Sequence, residues 1–193
     1  VNTFFYSDPH FFHEAVIGFC NRPFSGVAEM NEALVKRYNT LVGPDDFVYW
    51  LGDISFGRFS ETEAIFKWLH GQRALIQGNH DKFSTTQYRK LGFSAVIQEA
   101  KIRLQGNFYL LSHYPYAPTK EEIESEPNVK FDVRYLDARP VDKGSWLLHG
   151  HVHSAWKHRK RMINCGVDVW NYAPVHISKI EKIVAGGAIE IPS

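Results

Sequence analysis

Short unbroken apolar runs that end abruptly in glycine, aspartate or histidine recur along the first half of this chain. Thr3-Phe4-Phe5-Tyr6 is aromatic and β-favouring, and predicts a buried first strand that delivers Asp8 and His10 into the loop at its C-terminal end. Phe47-Val48-Tyr49-Trp50-Leu51 runs without polar interruption into Gly52-Asp53, and Ala74-Leu75-Ile76 leads into Gly78-Asn79-His80-Asp81. Continuous runs of this kind, rather than strict alternation, belong to strands covered on both faces. Between them, Val27, Met30, Leu34, Tyr38, Leu41 and Val42 recur at three- and four-residue steps, which predicts an amphipathic helix from Ser25 to Val42 with Ser25 as N-cap. A second helix is expected near Glu61 to Leu69. Strands alternating with helices imply a parallel sheet, and the C-terminal ends of such strands form the ligand crevice.

The second half changes character. Ala95 to Gln98, Ile102 to Gln105 and Phe108 to Leu111 read as short strands, the last two joined through Gly106-Asn107, a hairpin signal. Ser145 to Leu148 leads into Gly150-His151-Val152-His153, with Met162 to Asn164 as its expected partner, so a second sheet, mixed or antiparallel, is predicted. Ser178 and Glu181 have capping-box spacing ahead of a final short helix. The stretch from Tyr114 to Gly144 is long for a connection and carries Pro115, Pro118, Pro127, Pro140, Arg134 and Arg139; it reads as a surface excursion by default and a lid as the alternative.

Length and composition fit one core. The chain has 193 residues, 44% of them hydrophobic, with 14 Phe, 9 Tyr and 5 Trp, which excludes a disordered chain and favours a single domain over 1–193. A formal net charge of +1 gives no global attraction toward nucleic acid or an anionic membrane. The one dense basic run, Lys157-His158-Arg159-Lys160-Arg161, reads first as a solvated hairpin tip and second as a track for a polyanion. Cys20 and Cys165 are far apart and read as thiols of a reducing compartment. No signal-peptide core is visible and no apolar stretch approaches the ~20 residues of a membrane span, so the expectation is a cytoplasmic protein without a membrane partner.

The polar motifs share one chemistry. A hydrolytic two-metal centre needs carboxylate and neutral imidazole ligands, a group that bridges both ions, and an open position. Asp8, His10 and Asp53 offer ligands for one ion, and Asn79, His113 and His151 for the other; His153 can reach the first, and Asp53 is the natural bridge. Gly52, Gly78 and Gly150 allow sharp turns and close approach. His80, beside Asn79, is the candidate general acid, with Asp81 placed to orient or polarise its ring. His13 either lines the pocket or packs at a helix start. Arg22 either contacts a phosphate oxygen or forms a surface salt bridge, and His70, His149 and His176 are read as structural.

Taken in order, these motifs resemble the calcineurin-like metallophosphoesterase superfamily, whose pattern is D-x-H, G-D, G-N-H-[DE], H and G-H-x-H. The resemblance spans Asp8 to His153 with no element missing. It implies a four-layer α/β/β/α sandwich of two mixed sheets and a dinuclear Mn, Fe or Zn site, Mn being the first choice in vitro. In that site a metal-bound hydroxide attacks phosphorus in line. It further implies Asp8, His10, Asp53 and His153 on one ion, Asp53, Asn79, His113 and His151 on the other, and a non-ligand His80 assisting the leaving oxygen. Ser7-Asp8-Pro9-His10-Phe11-Phe12-His13 and Asn21-Arg22-Pro23-Phe24 look like a group of small bacterial and phage phosphoesterases. Ile54-Ser55-Phe56-Gly57-Arg58 after Asp53 departs from the G-D-x-x-D-R-G of protein Ser/Thr phosphatases, and Asp81 replaces their Glu. The expected activity is phosphodiester hydrolysis, on a phosphoester substrate that includes nucleotides or nucleic acid among its candidates. A nuclease or RNA-processing role and a non-catalytic metal-binding scaffold are the alternatives.

Overall fold

The computed structural model describes residues 1–125 and 135–187. In chain order the elements are β1 (Thr3–Tyr6), α1 (Glu14–Phe19), α2 (Val27–Leu41), β2 (Phe47–Trp50), α3 (Phe59–Phe66), β3 (Gln72–Ile76), α4 (Thr85–Lys90) and β4 (Phe93–Ile97). They continue with β5 (Glu99–Leu104), β6 (Asn107–Ser112), α5 (Lys120–Ser125), β7 (Trp146–His149), β8 (His158–Arg159), β9 (Met162–Asn164), β10 (Val175–His176) and α6 (Ile177–Gly186).

Two five-stranded mixed sheets result. The first has the order β10-β1-β2-β3-β4, with β1 to β4 parallel and β10 antiparallel on the edge. The second has the order β5-β6-β7-β9-β8, in which β6, β7 and β9 are parallel and the outer pairs antiparallel. Side-chain alternation in the first sheet explains why its strands are apolar throughout. Phe4, Tyr6, Val48, Trp50 and Leu75 face one way, against Met30, Leu34 and Tyr38 of α2 and Phe66 of α3. Phe5, Leu51 and Ile76 face the other way, against Tyr109, Leu111, Leu148 and Ile163 of the second sheet. The outer face of that sheet carries Leu110, Leu147 and Met162 under Tyr116 and Trp156, with α5 reaching it through an ion pair from Glu122 to Lys160. The layering is α/β/β/α, as the motif resemblance implies, with a thin outer layer.

Several local expectations are corrected. The strand at 93–97 joins the first sheet beside β3 rather than the second. The β5–β6 hairpin turns on Gln105-Gly106, both at positive φ (49° and 86°), while Asn107 pairs with Leu104. This is the left-handed pair a two-residue hairpin loop demands. Helix α2 is capped by Gly26, not Ser25; the Ser25 N–H and hydroxyl both donate to Glu29 Oε2, at 2.7 and 2.6 Å. Likewise the cap of α6 is His176, whose side chain accepts from the Ser178 N–H. Pro127 and Arg134 lie outside the described residues.

Candidate metal centre

Five parallel strands carry the five motifs. β1, β2 and β3 are neighbours in the first sheet, and their C-terminal ends release Asp8-Pro9-His10, Gly52-Asp53 and Gly78-Asn79-His80-Asp81. β6 and β7 are neighbours in the second, and release His113 and Gly150-His151-Val152-His153. Because the sheets pack face to face, residues 145 positions apart meet at one edge. Asp53 Oδ2 lies 3.6 Å from His10 Nε2 and 3.5 Å from His113 Nε2, so one oxygen stands between the two halves of the set. Asp8 Oδ1 lies 3.8 Å from His10 Nε2. Ligand atoms of Asp8, His10 and His153 fall within 4.8 Å of one another, as do those of Asp8, Asp53 and His113. Asn79 Oδ1 is 3.1 Å from His113 Nε2, and the His151 ring sits 5.3 Å from that of His113.

The local backbone is bent to achieve this. Asp8, His10, Asp53, His151 and His153 all adopt positive φ, between 48° and 70°, so five of the seven candidate ligands occupy the left-handed region. Such conformations cost about 1–3 kcal/mol each and persist where the surroundings over-determine them. Of the three glycines, only Gly52 has positive φ (96°); Gly150 serves by lacking a Cβ, since one built there would lie 2.0 Å from Ser7 Oγ and 2.2 Å from Asp8 Oδ2. The expectation that every one of these glycines makes a sharp turn is therefore corrected to close approach for Gly78 and Gly150.

The donor set fits divalent ions. His10 is 2% exposed, and among the described residues neither of its ring nitrogens has a hydrogen-bond partner. Burial holds its imidazole well below the ordinary value, so the ring is a neutral, desolvated nitrogen donor. Burial alone would lower His113 too, but the Asp53 carboxylate, with help from Asp8, carries it up to about 9. Burial raises Asp8, whereas the charge and hydrogen bond of His113 hold Asp53 well below the usual carboxylate range against its own burial. Without cations, protons do the neutralising in this cluster. His113 Nδ1 donates to Leu51 O at 2.7 Å, which leaves Nε2 facing Asp53 and Asn79.

Two expected roles are corrected. Asp81 does not serve the His80 ring: its carboxylate accepts from the N–H groups of Asp53 (2.9 Å), Ile54 (3.0 Å) and Gly78 (2.8 Å), locking the ends of β2 and β3 together. Nor does Arg22 face substrate or solvent. It is 4% exposed and donates to Pro9 O, Asp8 O and both oxygens of Asp168, at 2.8–2.9 Å. Asp168, absent from the sequence-based set, also approaches His153 Nδ1 at 3.3 Å. His80 stands at the rim, with its backbone N–H donating to Asp53 Oδ1 at 2.9 Å and its ring against Phe56. His13 occupies the N-cap position of α1 without a side-chain capping bond, and its ring stacks on Phe56 at 3.9 Å in the wall of the site. Tyr114 and Tyr135 form the opposite wall against His151.

The basic run behaves as a hairpin tip, with Lys160-Arg161 as the turn between β8 and β9. Lys160 pairs with Glu122, Arg161 with Asp142 at 2.9 Å, and Lys157 Nζ sits 3.7 Å over the Trp170 ring. Much of the charge is thus answered locally. Cys20 and Cys165 are buried free thiols, and no helix among the described residues is long and apolar enough to cross a membrane.

No family model matches the chain. Its sequence is 31% identical to the uncharacterized protein MJ1445 of Methanocaldococcus jannaschii over 95% of this chain and 91% of that one. It is 33% identical to the gene 66 protein of Mycobacterium phage L5, over 88% and 87%. Among solved structures, the protein of unknown function AQ665 from Aquifex aeolicus superposes with a TM-score of 0.66 at 27% identity, covering 94% of this chain and 98% of that chain. A novel archaeal phosphodiesterase and Yfce, a phosphoesterase from E. coli, give TM-scores of 0.42 and 0.43 at 12% and 15% identity. Each covers 86% of this chain, and 84% and 78% of its own. Identity above 30% across nearly the whole length, together with the two-sheet topology and the motif set at its strand ends, places this chain in one family with MJ1445 and the phage gene 66 protein.

Proposed function

We propose that the chain is a divalent-metal-dependent phosphoesterase that prefers phosphodiesters. Asp8, His10, Asp53 and His153 hold one ion, Asp53, Asn79, His113 and His151 the other, and His80 protonates the leaving oxygen. The observation that carries this reading is the placement of Asp53 Oδ2 between His10 and His113, beside a buried His10 whose ring nitrogens have no hydrogen-bond partner among the described residues. Bound there, two divalent ions would supply Lewis-acid polarisation of the phosphoryl group and activation of water. The chain's own contribution is orientation. Buried carboxylates and imidazoles are fixed by backbone contacts, with His151 N–H on both Asp8 oxygens at 3.1 and 3.0 Å and His113 Nδ1 on Leu51 O.

His80 lies at the mouth beside Phe56 and His10, with rings 4.8 and 5.8 Å away, where a leaving group would exit. The diester preference rests on the absence of the protein phosphatase signature after Asp53 and on the motif pattern. The test is hydrolysis of bis-p-nitrophenyl phosphate beside p-nitrophenyl phosphate, by metal-stripped protein reloaded with Mn²⁺. Diester turnover should depend on metal and fall about 10²–10⁴-fold in His80→Ala. Equal or faster monoester turnover would remove the preference, and turnover unaffected by His80→Ala would remove the acid.

A further inference from the structure

A buried guanidinium directly behind a dication site is electrostatically unfavourable unless something neutralises it. Arg22 is in that position. The chain leaves α1 through Cys20 and a left-handed Asn21 (φ 50°), which turns Arg22 inward beneath the Asp8-Pro9-His10 loop. Its Nη1 donates to Pro9 O and its Nη2 to Asp8 O, both at 2.8 Å. Its Nε and Nη2 close a bidentate fork on Asp168 at 2.8 and 2.9 Å. Asp168, in the 3-10 turn Val167–Val169, is fixed from behind because Val167 N–H donates to Ser7 O at 3.0 Å and Ser7 bridges to Gly166. Asp168 Oδ2 then faces His153 Nδ1 at 3.3 Å. One ion pair, with side chains at most 1% exposed, therefore ties together the loop that carries Asp8 and His10 and the ring of His153.

We propose that Arg22 and Asp168 form a positioning pair for one metal position only. Asp168 accepts the Nδ1 proton of His153, which fixes the tautomer that leaves Nε2 as donor. Arg22 holds the backbone carbonyls of Asp8 and Pro9, and so the left-handed turn that presents His10. Among the described residues, neither side chain is hydrogen-bonded to Asn79 or His113, which are assigned to the other ion. Carboxylates that orient a histidine ligand are worth about 10- to 100-fold in metal affinity. Asp168 also neutralises Arg22, so the guanidinium adds no net charge behind the site.

This inference rests on the two-ion reading above, and the experiment separates the two. Mn²⁺ binding is measured by equilibrium dialysis and elemental analysis on the wild type, Asp168→Asn, Asp168→Glu, His153→Ala and the double variant Asp168→Asn/His153→Ala. Asp168→Glu keeps a partner for Arg22 while displacing the carboxylate from His153, and so gives a second reading should Asp168→Asn fold poorly.

The wild type should bind two ions. Both Asp168 variants should weaken one of them about 10- to 100-fold and leave the other unchanged. In the His153→Ala background, Asp168→Asn should cost less than it does in the wild type, because part of its effect runs through that ring. Two ions at wild-type affinity in both Asp168 variants would overturn the positioning role alone. Equal weakening of both ions, or an Asp168→Asn loss undiminished in the His153→Ala background, would also overturn it by showing a merely structural effect. A wild type that takes up no Mn²⁺ would overturn the two-ion reading and this inference with it.

Discussion

Gly150→Ala is a single methyl group aimed at the candidate metal centre. Gly150 does not have positive φ, so alanine meets no backbone penalty there and the effect is purely steric. Its Cβ would stand 2.0 Å from Ser7 Oγ and 2.2 Å from Asp8 Oδ2. Ordinary carbon–oxygen contact begins near 3.4 Å, so Asp8 Oδ2 must retreat by about 1.2 Å. It has nowhere easy to go: Asp8 and Ser7 are both 0% exposed, both Asp8 oxygens accept from His151 N–H, and Ser7 Oγ donates to Leu51 O at 2.9 Å.

Overpacking of this kind costs about 1–3 kcal/mol, which for a domain of this size lowers Tm by roughly 2–12 °C. A ligand carboxylate displaced by about 1 Å should also lose at least about 10-fold in Mn²⁺ affinity, by analogy with lost orienting contacts. Gly18→Ala is the control, since Gly18 lies in α1 with nothing within 4 Å of an added Cβ. It should be neutral or stabilise by about 0.5–1 kcal/mol. The assay is thermal unfolding of metal-free protein together with Mn²⁺ titration. A Gly150→Ala protein that melts and binds Mn²⁺ like wild type would refute the packing at this strand end.

Metal affinity should depend on pH through His113, whose folded-state value is carried to about 9 from an ordinary 6.5. The metal-free ring is therefore protonated at pH 7, and binding must expel that proton. Apparent Mn²⁺ affinity should rise about tenfold per pH unit per proton from pH 7 to 9, read by calorimetry in buffers of different ionisation heat; affinity flat over that range would contradict it. By the same linkage, the stabilisation from His113 is complete below about 6.5 and is lost as pH rises through about 9, so metal-free Tm should fall across that window. Asp81→Ala strands three partly buried N–H groups, and should destabilise by at least about 3 kcal/mol, about 1–3 for each group, while leaving the pH dependence of residual turnover unchanged. A shifted pH profile at unchanged Tm would instead restore a role for Asp81 on the His80 ring.

Much of the site was legible because its parts are local. An apolar run that ends in Gly-Asp or Gly-Asn-His marks a buried strand and its loop, and three such runs predicted three adjacent parallel strands. In the second sheet the β7–β9 pairing was expected, but the full order carries no comparable signal, since short strands at similar spacing fit several orders. Arg22 and Asp168 stand 146 residues apart, and a lone Asp in Val167-Asp168-Val169 resembles any surface turn. Their meeting depends on how the two sheets stack, which local pattern does not encode. Asp81 was misread for a related reason: adjacency to His80 suggested a partner, but the turn after β3 points its carboxylate at backbone N–H groups. Phe56 in the loop after Asp53 and Tyr114 directly after His113 were sequence signals of aromatic walls, being large side chains beside the motif residues.

The most direct test of the two-ion reading is an anomalous diffraction map from crystals grown with Mn²⁺. It should show two peaks about 3.5–4 Å apart that share Asp53, one against His10 and His153 and the other against His113 and His151. A single peak, or one displaced to the neighbouring Cys20, His153 and Asp168 group, would contradict it.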